Sequence, residues 1–214
     1  MRLLSVNTGL PQEISWQDKL VRTSIFKQPV AEPVYVHAEH LAGDGQADLR
    51  VHGGPNKAVY AYPHEHYAFW QDFLPPSRLV IGAFGENLTT IGLLENQVRV
   101  GDCYQIGTAV LMAIQPRQPC FKLGIRLQDE SIVRRFEQSR RSGIYFRVQQ
   151  EGILQVGDAI TLVQPSASAV TIQDMIDSNA PGPKNPHKIR EILELPHLSP
   201  SWRERLSQLI AAGN

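Results

Sequence analysis

The residues best equipped for chemistry lie in QPRQPCFK, residues 115–122, where Cys120 stands among two prolines and two cations. Arg117 precedes it by three positions and Lys122 follows it by two. Nearby cations favour a thiolate over a thiol, because only the ionised form gains Coulomb energy. Pro116 and Pro119 remove backbone donors and resist ladder pairing, which predicts a rigid loop at a strand end. The other cysteine, Cys103, falls inside a strand-like stretch and reads as a small buried hydrophobe. Burial is the plain alternative for Cys120 too, but its prolines and cations favour a reactive or ligating sulfur.

Three further stretches carry polar groups at suggestive spacing. In VHGGPNKAVYAY (51–62), Gly53 and Gly54 take the Cβ atoms out of a bend and Lys57 follows. Exposed amides and one lysine can cradle a phosphate, although for this stretch taken alone an ordinary hairpin loop with a solvated lysine is the better reading. The stretch lacks the glycine spacing and the Ser/Thr of a Walker loop. FGENLTT (84–90) sets Glu86 beside Asn87, which suits either the edge of a heterocycle or a capped turn. Of seven histidines, His37, His40, His52, His64 and His66 crowd together, yet HExxH is missing, so zinc is not expected. His52, beside the glycines, is the best functional candidate of the five.

These residues need elements to hold them. Runs at 3–7, 20–26, 32–37, 57–62, 110–116, 143–149 and 159–163 are β-branched and aromatic, punctuated by Gly, Pro, Asn and Asp, and predict strands. QVRVGDCYQIG and ILQVGDAITLV share a Gly-Asp turn ahead of a strand. Helices are predicted over 63–76 and 129–143. After QPSASA the texture changes to three short helical patterns with Thr, Asn and Ser as caps, too small to be stable unless they dock on the rest or on a partner subunit.

Composition bounds the partners. Lys plus Arg (21) equals Asp plus Glu (21), so no global field draws nucleic acid or a membrane surface. Two cysteines make neither a disulfide framework nor a CxxC zinc pair. The start, MRLLSVNTGLPQE, lacks the apolar run of a signal peptide, and no stretch approaches the roughly 18 residues of a membrane span. A cytoplasmic protein is expected, and apolar strand edges leave room for a homodimer.

VHGGPNKAVYAY, FGENLT, VRVGDCYQIG, QPRQPCFKLG and GIYFRVQQEGILQVGDAITLV follow one another in the order found in the MOSC family, named for the C-terminal domain of molybdenum cofactor sulfurase. The tail resembles the small three-helix domain that one type of MOSC protein carries. The resemblance implies a mainly β (α+β) fold: a MOSC-type β-barrel with peripheral helices over 1–165 and a three-helix domain over 166–214. It also implies the molybdenum cofactor, a molybdopterin holding molybdenum by a dithiolene, with Cys120 as the protein's sulfur ligand. In that frame Gly53, Gly54 and Lys57 would meet the phosphate, Glu86 and Asn87 the pterin edge, and Arg117 and Lys122 the anionic charge. His52 would donate protons near the metal, while Arg22 and Asp48 are lesser cofactor-binding candidates.

The activity implied is reduction of small N-hydroxylated compounds, among them the toxic base analogue 6-hydroxylaminopurine. No CxxC, four-cysteine or GxGxxG pattern supplies electrons, so a separate reductase is expected. The same cysteine would also serve a persulfide carrier or sulfurtransferase, and the same barrel a non-catalytic cofactor carrier.

Overall fold

A computed structural model describes residues 1–47 and 53–212. His52 and Asp48 lie outside the described residues. The first strands are β1 (Arg2–Thr8), the hairpin β2 (Gln12–Trp16) and β3 (Lys19–Thr23), and the short β4 (Gln28–Val30) and β5 (Val34–Val36). Beyond the glycine turn come β6 (Val59–Pro63), helix α1 (Glu65–Trp70) and β7 (Leu88–Ile91). Strands β8 (Cys103–Ile106) and β9 (Ala109–Pro116) lead into helices α2 (Phe121–Leu127) and α3 (Ile132–Ser139). The sheet portion ends with β10 (Ile144–Gln150), β11 (Gly152–Leu154) and β12 (Ile160–Gln164). Helices α4 (Ile172–Asn179), α5 (Pro186–Leu193) and α6 (Pro200–Ala212) complete the chain.

Eight strands form one mixed sheet in the order β12-β8-β9-β10-β6-β7-β1-β4. All its ladders are antiparallel except β6 with β7. The expected barrel is therefore corrected to a curled, open sheet. Near its ends β1 touches the approach to β12 through one bridge, Arg2 with Ala159, and Leu3 N–H donates to Asp158 O at 2.9 Å. Gly157, at φ 94°, turns the chain there, so the contact never becomes a ladder.

Alternation places the core. Along β9 the alternating Leu111 and Ala113 are buried, and a bulge between Leu3 and Ser5 brings both Leu3 and Val6 of β1 into the same cluster, with Ile144 and Phe146 of β10. A second cluster is aromatic, with Tyr62, Trp70, Phe84 and Phe136 fully or nearly fully buried between β6, α1, α2 and α3.

The three C-terminal helices dock on the sheet, as their size requires. Val100 N–H donates to Val170 O and Ile172 N–H to Val98 O, both at 2.9 Å. Met175, Ile192, Trp202 and Leu206 belong to the same buried cluster as the strands. Thr171 forms a capping box with Asp174, and the Asn185 side chain accepts from the amides of His187 and Lys188, so two of the three predicted caps are present.

Candidate functional site

Strand β9 ends at Pro116, and residues 117–120 cross to α2, whose N-cap position is Cys120. This crossing is the loop that the prolines predict. Ser142 Oγ anchors it by donating to Arg117 O at 2.5 Å. Cys120 is neither sealed in the core nor fully exposed, whereas Cys103 is buried in β8. The sulfur-bearing loop therefore edges a cleft that is open to solvent.

Four cationic residues line that cleft with Cys120: Lys27, Lys57, Arg117 and Lys122. Arg117 is buried, donates to Phe84 O and lies 4.8 Å from the centre of the Tyr60 ring. Burial opposes its charge, but Tyr60, Tyr145 and Cys120 outweigh that and hold its pKa above the ordinary value. Burial lowers the pKa of Lys57, and the neighbouring Cys120 partly offsets that. Lys27 is also pushed down by burial, despite its ion pair with the buried Asp44. Tyr60 and Tyr145 are raised by burial, with Arg117 acting against the shift.

Sequence reasoning missed Lys27, Asp44, Tyr60 and Tyr145 as lining residues. The signal for Lys27 was a cation closing the apolar stretch SIFK, since a buried charge needs a partner. Its partner stands 17 residues later in AGDGQ, beyond the reach of local periodicity. Asp44 also accepts from Gly9 N–H and from Asn87 Nδ2, each at 2.8 Å.

Other candidates fare differently. Asn87 does line the cleft, but its side chain is engaged: Oδ1 accepts from Tyr60 N–H at 3.1 Å while Nδ2 serves Asp44. Glu86 does not line the cleft. It is fully buried away from the cleft, and its carboxylate accepts from Tyr67 Oη, Gly82 N–H, Phe84 N–H and Thr89 Oγ1. Four donors engage it in holding the turn, the arrangement of a capped-turn carboxylate. Burial raises its pKa, and those bonds only partly offset the shift.

Arg22 is exposed on the β2–β3 hairpin and does not line the cleft, although its neighbour Thr23 does. Gly53 and Gly54 do not line it either. Gly54 adopts φ 82° and leads into a single turn, Pro55–Lys57, that delivers Lys57 to the cleft. Asn56 in that turn accepts from the Arg147 guanidinium of β10. The glycine pair is thus tied to the site through Lys57, and no lining contact of its own is found among the described residues.

A thiol on a proline-stiffened loop, set among cations at the rim of a curled mixed sheet, defines the class. Residues 48–161 match the MOSC domain, and this chain belongs to the MOSC family. Residues 170–213 match the YiiM-like 3-alpha helix domain, which accounts for α4 to α6. The chain is 41% identical over 201 residues to the uncharacterized protein YflK of Bacillus subtilis, covering 94% of this chain and 90% of that one. It is 33% identical to protein YiiM of Escherichia coli, covering 81% and 78%. A protein of Gibberella moniliformis named "Reductase" is 35% identical over 162 residues, which span 29% of its own length. The crystal structure of YiiM from Geobacillus stearothermophilus superposes with a TM-score of 0.78 at 35% identity, covering 97% of each chain.

Proposed function

We propose that this protein is a molybdenum-cofactor-dependent oxidoreductase that reduces N-hydroxylated compounds, with Cys120 as the protein's ligand to the metal. The observation that carries the reading is one thiol facing a cleft with Lys27, Lys57, Arg117 and Lys122 around it. The donor set fits the group: a soft sulfur suits molybdenum better than hard oxygen ligands do, and the cations suit an anionic dithiolene and phosphate. Ser24 also lines the cleft with a buried Oγ that has no hydrogen-bond partner, an orphaned group that a polar ligand would satisfy. MOSC membership and the name of the Gibberella relative support redox chemistry at the level of class.

When bound, the cofactor would supply the two-electron chemistry that removes the hydroxyl oxygen. The overall change is R–NHOH plus two electrons and two protons, giving R–NH2 and water. The chain's own residues hold and orient: Arg117 and Lys122 offset the cofactor's charge, and the proline loop fixes the sulfur. Lys57, half-buried at the cleft wall with Cys120, adds a positive charge for the anionic cofactor. The electrons come from a separate reductase.

The test is turnover of 6-hydroxylaminopurine, driven by a dye reductant, using protein expressed in a host that makes the cofactor. Formation of the amine supports the reading. Protein that carries molybdenum and reduces no N-hydroxy compound contradicts it.

A further inference from the structure

Ser142 stands beside the Cys120 loop, and its neighbours fix where it stands. Its own carbonyl accepts from Tyr60 Oη of β6 at 2.9 Å. The next amide, Gly143 N–H, donates to Glu95 Oε1 at 2.7 Å. Glu95 is 3% exposed and is held in turn by His66 of α1, whose Nε2 lies 3.0 and 2.8 Å from its two carboxylate oxygens. Gly143, at φ 68°, then turns the chain into β10, where Ile144 pairs with Pro116 at the end of β9. A serine gripped on both sides in this way has one group left to place, its hydroxyl.

That hydroxyl donates to Arg117 O, three residues before the sulfur. The loop has few other holds on its backbone. Its entry is fixed by the pairing of Pro116 with Ile144, and its exit by Leu123 N–H donating to Cys120 O at 2.9 Å. Between them, Ser142 makes the one hydrogen bond to the backbone of residues 117–119 among the described residues. The guanidinium of Arg117 points elsewhere, to Phe84 O, so this residue is pinned through its carbonyl and its side chain together.

We infer that Ser142 is a positioning residue for Cys120, supported by Glu95 through Gly143. The two set where the sulfur stands without touching it. Loss of the hydroxyl frees Arg117 O, and the proline-stiffened loop then shifts with the cysteine at its end. The consequence for a bound metal rests on the reductase reading above, whereas the consequence for the free thiol does not.

The experiment has two arms. In the first, full-length protein from a host unable to make the cofactor is treated with iodoacetamide under native conditions, and labelling of each cysteine is followed by peptide mass spectrometry. Ser142→Ala should label Cys120 about fivefold faster than wild type, with the buried Cys103 unchanged. Glu95→Ala should act in the same direction. Glu95→Gln keeps an acceptor for Gly143 N–H and should label at the wild-type rate. In the second arm, cofactor-loaded protein is reduced to Mo(V) and its electron paramagnetic resonance spectrum is recorded, since the g values respond to the orientation of a ligating sulfur. Ser142→Ala should shift or broaden this signal and lower dye-driven kcat about tenfold, with KM within about twofold.

Faster labelling of Cys120 in a protein that takes up no molybdenum in any form, wild type included, would leave the positioning standing and remove the cofactor reading. Equal acceleration at Cys120 and Cys103 would mean global loosening and overturn the proposal. Wild-type labelling with an unshifted Mo(V) signal in folded Ser142→Ala would overturn it too. Should Ser142→Ala not fold, Tyr60→Phe, which frees the Ser142 carbonyl, carries the same expectations and the same refutation.

Discussion

Lys57 lines the cleft beside Cys120, and its charge depends on pH. Burial lowers its pKa, so its charge is lost as pH rises through that lowered value, earlier than for an exposed lysine. If that charge holds an anionic cofactor, wild-type protein should release pterin on the alkaline side. Lys57→Arg, which stays charged, should retain it there. Pterin content after dialysis across neutral to alkaline pH checks this, and parallel loss from both proteins would remove Lys57 from the anion site. Glu86 gives a second pH effect, this time on stability. Its folded pKa lies above the unfolded one, so its contribution is full below the ordinary carboxylate value and is lost as pH rises through the raised value. The difference in Tm between wild type and Glu86→Gln should therefore be largest in acid and shrink toward neutrality, whereas a pH-independent difference would contradict the assignment.

Among the elements, β6 and β10 must lie close for Tyr60 and Tyr145 to flank Arg117, and Gly143 permits it. It adopts φ 68°, and a Cβ there would come 2.6 Å from Ala61 O. Gly143→Ala should lose about 2–4 kcal/mol of stability in urea unfolding, from positive φ and overpacking together. Thr171→Ala, which removes the capping box of α4, should lose about 1 kcal/mol by the same measurement. The ending of α3 illustrates what was readable locally and what was not. Its helical pattern and early acids predict the helix, and Gly143 looks like its stop. The helix in fact closes at Arg140, at φ 59°, and the glycine serves a contact with β6 that is distant in sequence.

Seven strands were legible because β-branched runs alternate between turn residues. Strand β7 shows in the sequence only as the turn-like FGENLTT, and helix α2 has no local signal because its seven residues follow directly on the proline loop. At the site, Cys120, Arg117, Lys122 and Lys57 were legible from charge and proline placement. Lys27 and Asp44 were not, since their pairing is tertiary.

At the scale of the molecule, the sheet and the helical tail share one core. Trp202, Leu206 and Ile192 pack in the cluster that holds Val98 and Val100. Removing residues 166–214 should therefore expose this surface and abolish cooperative unfolding, so a soluble, two-state truncated form would contradict the shared core. No helix among the described residues is long and apolar enough to cross a membrane. The account as a whole turns on whether the Cys120 sulfur binds the metal. X-ray absorption at the molybdenum edge tests that most directly, on wild type and Cys120→Ala purified from a cofactor-overproducing host. The account predicts one fewer sulfur ligand in the variant, or loss of the metal altogether, and an unchanged sulfur shell at full molybdenum occupancy would contradict it.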